Sequence, residues 1–394
     1  MGARVMFYVQ HVLGVGHLKR ASIIAQAMVD AALEVTVVLG GMDVPGIDFD
    51  GCARIRLPAI RAADGTFSSL VDEHGRTVDD ALRDARMARL LVEFEALHPD
   101  VLLIEQFPFG RRQFRFELLP LLEAARTAAP RPRVLCSLRD VLVAKADPER
   151  RRDMVALARR WLDGVLVHGD PGLLRLEDTF PEAAEIASMI RYTGYVAAHP
   201  SAGAIRGSRA GVGEVIVSAG GGAVGAPLLQ AALAARPLSV LADRPWRLIT
   251  GPNLPDADFA ALAWDPPAGV VVERWRDDMP TVLRNCVVSI SQGGYNTVMD
   301  ILQAGARAVI VPFAAKDQTE QAFRARTLAA QRAIIMLEWK MLEQGAAGPA
   351  EVAQELAQAI GRALTMQPRS AAVDMNGARE TARAVAACAA QAPF

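Results

Sequence analysis

The amino-acid sequence predicts an α/β fold that consists of two Rossmann-like domains with parallel sheets. Short apolar runs rich in Val, Ile and Leu alternate with segments of helical spacing along the chain, a pattern that indicates parallel strands covered by helices on both faces. Each half begins with an apolar run, a glycine-rich loop and a helical segment, FYVQHVLGVGHLKRASIIAQAM in the first and VIVSAGGGAVGAPLLQAAL in the second. Between them lies AAHPSAGAIRGSRAGVG, which has no apolar periodicity and is typical of a linker.

The domain boundaries follow from these patterns. We expect a first domain at residues 1–197, a linker at 198–213, a second domain at 214–369 and an Ala-rich helical segment at 370–394. In the first domain the predicted strands are Val5–Val9, Val35–Leu39, Val101–Glu105, Val134–Leu138 and Val165–Val167. In the second domain they are Val215–Ser218, Arg247–Thr250, Val270–Arg274, Val287–Ser291, Ala308–Pro312 and Ala333–Leu337.

Composition excludes several classes of protein. The 394 residues include 43 basic and 44 acidic side chains, and the resulting net charge of −1 argues against a nucleic-acid-binding protein. The four cysteines are widely separated and form no CxxC pair, so we expect reduced thiols in a cytosolic protein, with no disulfide framework and no zinc site. No apolar run in the sequence approaches the ~18 residues of a membrane span.

The stretch SISQGGYNTVMDILQAGARAVIVPFAAKDQTEQ, residues 289–321, is the most informative about function. It predicts a buried strand, a turn at Gly293 and Gly294, a helix over Tyr295–Ala304, a second strand and a loop. Glycine lets the backbone approach a ligand closely. A helix N-terminus at the carboxyl end of a strand favours an anion such as a pyrophosphate.

Polar side chains accompany this predicted phosphate turn. Asp300 lies one turn into the helix, where a carboxylate can bind a ribose diol. Glu320 and Gln321 close the stretch and offer a bidentate acceptor and an amide to sugar hydroxyls. Phosphate, ribose and sugar ligands together indicate a site for a nucleotide-sugar donor.

The same stretch resembles the donor half of the two-domain GT-B glycosyltransferases, and in particular the MurG-like group with a family 28 type of C-terminal domain. The resemblance implies two Rossmann-like domains that face each other across a cleft and a C-terminal helix that crosses back to the first domain. It places Asp300 at the ribose-binding carboxylate and Glu320 and Gln321 at the sugar-reading pair. The sequence departs from many members of the wider superfamily at Gln292, where they have His, so a phosphate contact there would depend on an uncharged amide.

The motif GVGHLKR, residues 14–20, follows the first predicted strand directly. Its glycines permit a tight turn, and His17 falls in the first turn of the next predicted helix. The positive end of a helix lowers the pKa of an imidazole, so His17 would be neutral and able to accept a proton. The spacing resembles the N-terminal loop of the same superfamily, including its nucleotide-sugar hydrolases. The alternatives are that His17 only caps the helix and that Arg20 is a solvated helix charge instead of a ligand for an anion.

Two further strand ends carry polar side chains. EQFPFGRR begins at Glu105, and SLRD ends the next strand along the chain. Because ligands of open α/β sheets bind at the carboxyl edge, we expect Glu105, Arg111, Arg139 and Asp140 to line the acceptor side. An Arg–carboxylate pair that only fixes a loop is the alternative. The basic edge of the helix predicted at Phe114–Arg126 would suit anionic lipid, although a scaffold helix with a solvated basic edge accounts for it as well.

In the second half, SAGGG at residues 218–222 offers backbone N–H groups to phosphate. Three consecutive glycines are hard to explain by packing alone, which favours a functional role for this run. RWR at residues 274–276 follows a strand at the place where this fold usually receives the nucleobase. Backbone groups there would read uracil, with Trp275 as a support for the loop.

These motifs define the candidate site. The catalytic candidates are His17, Glu105 and Asp140, and the acceptor-side candidates are Arg20, Arg111 and Arg139. The donor-binding candidates are Gly16, Ser218, Gly220, Gly221, Gly222, Arg274, Trp275, Gln292, Gly293, Gly294, Asn296, Thr297, Asp300, Glu320 and Gln321.

The sequence therefore predicts an inverting, metal-independent glycosyltransferase of the hexosyltransferase type, with a UDP-sugar as donor and no cofactor. His17, Glu105 or Asp140 would remove the proton of the acceptor hydroxyl, while the glycine turns stabilise the departing diphosphate. The acceptor is a glycan, a small molecule or a lipid-linked sugar, and the expected location is cytoplasmic, with peripheral contact at the inner face of the membrane if the acceptor is lipid-linked. Two alternatives remain: a nucleotide-sugar hydrolase or epimerase on the same fold, and a non-catalytic subunit that binds a nucleotide sugar.

Overall fold

A computed structural model describes residues 2–12, 16–44, 46–63, 69–142, 147–197, 209–222, 224–313, 320–338, 342, 348–366 and 373–390. The chain divides into two compact units. The first consists of Met1–Val196 together with Asp374–Phe394, and the second of Ala197–Val373. Much of the predicted linker, residues 198–208, lies outside the described residues.

Helices and strands alternate through both units. The helices are α1 (Gly16–Asp30), α2 (Asp80–Leu97), α3 (Arg115–Thr127), α4 (Pro148–Trp161), α5 (Ala226–Ala235), α6 (Asp256–Ala263), α7 (Met279–Asn285), α8 (Tyr295–Ala304), α9 (Glu320–Ala330), α10 (Pro349–Thr365) and α11 (Gly377–Ala389). The strands are β1 (Arg4–Val9), β2 (Glu34–Leu39), β3 (Ala53–Arg56), β4 (Ile60–Ala62), β5 (Leu70–Asp72), β6 (Val101–Glu105), β7 (Arg133–Arg139), β8 (Gly164–His168), β9 (Ile190–Tyr192), β10 (Val215–Ser218), β11 (Trp246–Ile249), β12 (Val270–Glu273), β13 (Val288–Ser291), β14 (Ala308–Ile310) and β15 (Ile335–Met336). None of the described helices has the length and apolarity needed to cross a membrane.

The first unit is built on a parallel sheet in the order β3-β2-β1-β6-β7-β8-β9. Side chains alternate between its two faces, as the pleat of a strand requires. In β1, Phe7 packs into the cluster that contains α1 residues, whereas Met6 and Tyr8 pack into the cluster that contains α2 and α3 residues. Both faces are therefore apolar, which explains why the strands read as nearly continuous apolar runs.

The second unit has a parallel sheet in the order β12-β11-β10-β13-β14-β15. Its core includes Leu228 and Ala232 from α5 and Leu356 and Ile360 from α10, all nearly or fully buried. Together the two sheets confirm the predicted α/β fold with two Rossmann-like domains.

The strand order reverses at one point in each sheet. In the first unit β1 lies between β2 and β6, and in the second β10 lies between β11 and β13. At such a point the connections from two adjacent strands run to opposite sides of the sheet. This opens a crevice at the carboxyl ends of these strands, where ligands of this fold class bind. His17 and Glu105 follow or end β1 and β6, and the two glycine turns follow β10 and β13.

The prediction missed the strands β3, β4, β5 and β9. β3 has the sequence ARIR at the sheet edge and is mostly exposed, so it lacks the apolar run that marks a buried strand. β4 and β5 form a short antiparallel hairpin of three residues each. The last predicted strand is also shorter than expected, since only Ile335 and Met336 pair.

The C-terminal helix α11 belongs to the first unit, as the predicted fold requires. Ala382 and Val385 of α11 lie in the same buried cluster as Ile24 and Met28 of α1. The small side chains on α11 let the two helices approach closely, and the contact joins the end of the chain to its first helix.

His168, at the end of β8, connects α11 to the sheet through polar contacts of its ring nitrogens. It is fully buried, with Nε2 2.7 Å from Ser137 Oγ and Nδ1 3.0 Å from Thr193 Oγ1. Thr381 Oγ1 on α11 lies 3.4 Å from the same Nδ1. His168 is therefore structural. Burial, together with the Arg20 charge and against the effect of Glu105, lowers its pKa well below the ordinary value.

We expect this histidine to make the protein less stable in mild acid. The folded chain keeps His168 neutral, so below pH ~6.5 the unfolded chain binds the proton preferentially, and stability falls with the pH toward the lower folded pKa. Between pH 7.5 and 5.5 the loss is about 1.4 kcal/mol in the free energy of unfolding. Urea titrations at both values should show a shallower pH dependence for His168→Asn than for the wild type. His74→Asn is the control, because the His74 side chain is 65% exposed. Equal slopes for the wild type and His168→Asn would contradict this expectation.

Candidate functional site

In the first unit, His17 and Glu105 form a hydrogen-bonded pair at the switch point of the sheet. His17 is the second residue of α1, and its Nδ1 lies 2.7 Å from Glu105 Oε1 at the end of β6. The imidazole is 20% exposed and the carboxylate 1%. The sequence separates the two residues widely, but the parallel pairing of β1 with β6 brings their following loops together.

The surroundings of His17 keep its imidazole neutral, and the bond to Glu105 fixes the tautomer. Burial and the charges of Arg111 and Arg20 lower the pKa of His17 to about 4, against the raising effect of Glu105. A neutral His17 that donates Nδ1–H to the carboxylate keeps a lone pair on Nε2, and no described residue bonds to that atom. This is the arrangement of a general base held by a carboxylate.

Two arginines surround the buried Glu105 carboxylate. Arg20 Nη2 donates to Glu105 Oε1 at 2.6 Å, and Arg111 Nη2 donates to Oε2 at 3.4 Å. Arg20 Nη2 also lies 3.2 Å from His17 Nδ1, but a protonated Nδ1 has no lone pair to accept from it. Burial alone would raise the pKa of Glu105, yet His17, Arg111 and Arg20 hold it well below its usual range. Glu105 is therefore held as an anion whose carboxylate lies within hydrogen-bonding distance of His17 and of both arginines.

The loop after β6 is held in an uncommon backbone conformation. Gln106 and Arg111 have φ values of +68° and +59°, a region that side chains other than glycine rarely occupy. Phe107 and Phe109 are buried in the core below it, so they anchor the loop. Such conformations persist where the surroundings impose them, often at functional sites.

The remaining candidates of the first unit lie nearby with different exposure. Arg139 ends β7 and is half-buried. Asp140 is 1% exposed, and a Cβ added at Gly169 would lie 2.9 Å from its Cβ. Gly16 begins α1. Gly14 and Val15 of the predicted motif lie outside the described residues.

A buried polar network that the sequence did not reveal lies beside this cluster. Glu117 accepts from Tyr8 Oη at 2.5 Å and from Arg86 Nη2 at 2.7 Å. Arg86 Nη2 also donates to the Gln10 side chain at 2.9 Å, and the Gln10 carbonyl oxygen accepts from Arg111 Nε at 2.5 Å. Hydrogen bonds therefore connect Arg86 on α2 to Glu105. These four hydrogen bonds join residues that are 31 to 109 positions apart in sequence, so local sequence patterns give no signal for such a network.

In the second unit, the glycines after β10 pack against the loop after β11. Gly222 has φ +90°, and a Cβ there would lie 2.4 Å from the Thr250 oxygen. Gly251 has φ +83°, and its Cβ would lie 2.4 Å from the Gly220 oxygen. The N–H of Gly222 bonds to the Ala219 oxygen at 3.1 Å. Packing therefore accounts for Gly222, contrary to the expectation that packing alone does not explain these glycines.

The other two glycines of this run differ in whether their N–H groups have partners. The N–H of Gly220, at φ +60°, donates to Ser218 Oγ at 3.3 Å. The N–H of Gly221 makes no hydrogen bond within the part of the chain that the structure describes. Of the predicted phosphate-binding run, Gly221 thus keeps an N–H group for a ligand.

The second glycine turn leads into α8. Gly294 is the N-cap residue, and among the described residues no side chain caps this helix. A Cβ at Gly293 would lie 3.3 Å from Gln321 Cβ and from Pro312 Cβ, so the turn lies against the loop that follows β14. Gln292 donates Nε2 to the Val224 oxygen at 3.2 Å, which ties this turn to the end of the first. An uncapped helix N-terminus beside two glycine turns suits an anion.

Side chains of the donor candidates sit around this helix. Asn296 and Thr297 are half-buried in its first turn, and Asp300, one turn further, is 7% exposed. Glu320 begins α9, and its Oε1 accepts from Arg324 Nη2 at 2.9 Å. Gln321 Oε1 accepts from the Phe313 N–H at 3.1 Å, which leaves its amide Nε2 as a donor.

In the segment predicted to receive the nucleobase, the Arg274 side chain has partners within the second unit. Arg274 Nη1 donates to the Leu254 oxygen at 2.9 Å, and its guanidinium carbon lies 4.2 Å from the centroid of the Phe259 ring. The Arg274 oxygen accepts from Gly251 N at 3.0 Å. Trp275 is 56% exposed, so it presents its ring to solvent instead of packing beneath the loop.

The described residues contain no cluster of three or more His, Cys, Asp or Glu side chains that could hold a metal ion. The four cysteines are unpaired thiols, of which Cys136 and Cys388 are buried.

Residues 216–385 match the family model described as the glycosyltransferase family 28 C-terminal domain. A comparison with curated protein sequences gives no match. Similar solved structures include the calicheamicin glycosyltransferase CalG4, with a TM-score of 0.60, 16% identity and coverage of 100% of this chain and 96% of that chain. MurG of Acinetobacter baumannii has a TM-score of 0.59 and 15% identity, covering 99% of each chain. The spinosyn rhamnosyltransferase SpnG complexed with thymidine diphosphate has a TM-score of 0.57 and 18% identity, covering 100% of this chain and 97% of that chain.

The structural likenesses confirm the GT-B fold over the whole chain. Together with the match to the family 28 C-terminal domain, they confirm the resemblance to GT-B glycosyltransferases that the sequence predicted.

Two glycines of the second unit allow a test of the backbone contact. Gly251→Ala should destabilise the protein by about 3 kcal/mol or more, because the new Cβ meets the Gly220 backbone as well as an unfavourable φ. Gly305→Ala is the matched control: φ is +65° there, but nothing lies within 4 Å of the new Cβ, so we expect about 1 kcal/mol. Urea unfolding measures both. Equal losses would show that the turns after β10 and β11 are not in contact.

Proposed function

We propose that this protein is an inverting, metal-independent glycosyltransferase that transfers a sugar from a UDP-sugar to a hydroxyl group of its acceptor. The observation that carries the proposal is the His17–Glu105 pair, a neutral imidazole oriented by an anionic carboxylate at the switch point of the first sheet. The GT-B fold and the family 28 match of residues 216–385 support sugar transfer as the chemistry.

The first unit would supply the base. As the acceptor oxygen forms its bond to the anomeric carbon, its proton becomes acidic and passes to His17 Nε2. Glu105 stabilises the imidazolium through Nδ1 and keeps the ring from rotating. The bond from the anomeric carbon to the diphosphate oxygen breaks on the opposite face, so the configuration at that carbon is inverted.

The second unit would bind the donor and its leaving group. The N–H groups at the start of α8 and the N–H of Gly221 are the donors for the diphosphate, whose charge grows as the bond breaks. Asp300 is assigned to the ribose and Glu320 and Gln321 to the sugar. The neighbour SpnG was solved with thymidine diphosphate, so the binding test includes TDP as well as UDP.

Binding is tested by thermal unfolding of the wild type, Glu320→Ala and His17→Ala with UDP, TDP and their glucose and N-acetylglucosamine conjugates. We expect UDP and a UDP-sugar to stabilise the wild type, since a ligand that binds only the folded state raises the melting temperature. Glu320→Ala should lose the additional effect of the sugar and keep that of the nucleotide. The absence of any shift with every nucleotide would overturn the donor site.

A turnover assay distinguishes the loss of the catalytic base from the loss of donor binding. His17→Ala should bind the donor as the wild type does but lose about 100-fold or more in kcat, the usual contribution of a general base. His74→Ala, a change at an exposed histidine, is the control. Release of free sugar at the wild-type rate without any acceptor would favour the alternative of a nucleotide-sugar hydrolase, in which His17 activates water.

The pH profile of kcat/KM reports the same residue. Because His17 has its pKa lowered to about 4, it stays neutral and competent as a base above that value and loses activity as the pH falls through it. We expect kcat/KM to be level from neutral pH down to about 5.5 and to decline only below that. An acidic limb centred near 6.5, the ordinary value for histidine, would contradict the assigned environment.

A further inference from the structure

Arg324 is a charged residue in a place where an apolar one would be expected. It lies on α9 among Ala322, Ala325 and Leu328, all buried, and is itself 0% exposed. A guanidinium removed from water is costly unless its surroundings compensate the charge. Nothing in the sequence pattern of α9 marks this position, and the predicted site did not include it.

The contacts of Arg324 join two candidate binding elements. Its Nη2 donates to Glu320 Oε1 at 2.9 Å, one helical turn back, and the Glu320 side chain is 13% exposed. Its guanidinium carbon lies 5.3 Å from the centroid of the Tyr295 ring, and Tyr295 is the first residue of α8. The residue therefore lies between the carboxylate assigned to the sugar and the helix assigned to the diphosphate.

The pair differs from the surface ion pair that another arginine of α9, Arg326, makes with Glu338. Arg326 and Glu338 approach to 3.5 Å but are 62% and 45% exposed, so each side chain can rotate freely in water. The guanidinium of Arg324 is confined by packing and stacking, so its donor has a fixed direction. A carboxylate has about four lone-pair sites, so the bond from Arg324 uses only part of the acceptor capacity of Glu320.

We infer that Arg324 is a positioning residue for recognition of the donor sugar: it holds the Glu320 carboxylate in the orientation that binds the sugar hydroxyls. The inference rests on the proposed function and extends it to a residue that does not touch the ligand. It implies that the preference for nucleotide sugar over free nucleotide depends on Arg324 only through Glu320.

The test is a double-mutant cycle in which titration calorimetry gives Kd for UDP, UDP-glucose, UDP-N-acetylglucosamine, TDP and TDP-glucose. For the nucleotide sugar that the wild type binds most tightly, Arg324→Met should reduce the preference over its nucleotide by about tenfold, the scale of a charge-assisted hydrogen bond. Affinity for the nucleotide alone should stay within about twofold. Glu320→Gln should have a similar effect, and the double variant should lose no more than either single one. Arg326→Met, on the exposed pair, should match the wild type.

The outcomes separate the two proposals. If the wild type binds no nucleotide, the proposed donor site is wrong and the role of Arg324 is wrong with it. If the wild type prefers the nucleotide sugar but Arg324→Met keeps that preference, only the role of Arg324 is overturned. Equal weakening of nucleotide and nucleotide sugar, or additive losses in the double variant, would also overturn it, since either shows an effect that does not act through Glu320. If Arg324→Met does not fold, Arg324→Lys, which keeps the charge without the fixed fork, takes its place in the same cycle.

Discussion

Parallel strands present all their carboxyl ends at one edge of a sheet, and this constraint determines where the chemistry of the protein can lie. A strand order that reverses beside β1 and again beside β10 leaves one crevice at that edge in each unit. The helix N-termini that follow these strands point their unpaired N–H groups to the same edge. The topology therefore accounts for where the proposed base and the proposed anion site lie, and the sequence adds the particular side chains.

Burial of charge is the second constraint on the first unit. Glu105 and Glu117 are both nearly or fully inaccessible, and each is compensated by arginine. Removal of one partner from such a pair leaves an uncompensated charge in a medium of low polarity, so the groups are held in place more firmly than exposed ion pairs are. Gln10 connects the two clusters because its side chain accepts from Arg86 and its backbone oxygen from Arg111. The orientation of His17 is in this way tied to the packing of α2 and α3.

Local patterns were enough to predict most of the fold. The runs at β6 and β10 and the helix at α8 agree with the structure to the residue, because apolar periodicity and glycine turns are local signals. β3 escaped prediction because an exposed edge strand carries no apolar run. The proximity of His17 to Glu105 could be anticipated only from the rule that ligands bind at the carboxyl edge. The roles of Arg86 and Arg324 could not be anticipated from the sequence, because a buried arginine is identified only by the groups that it contacts. These groups lie on other elements or a full helical turn away.

The packing of α11 on α1 means that the first unit is discontinuous in the chain, whereas the second is a single uninterrupted segment. During synthesis from the N-terminus, Ile24 and Met28 emerge hundreds of residues before the helix that covers them. All strands of the second unit are synthesised before α11 leaves the ribosome, so this unit can complete its fold first. Until then the side of α1 that packs against Ala382 and Val385 lacks this cover, so the first unit cannot complete its own fold. Chaperone capture of nascent chains would accordingly concentrate on the first helix of the protein.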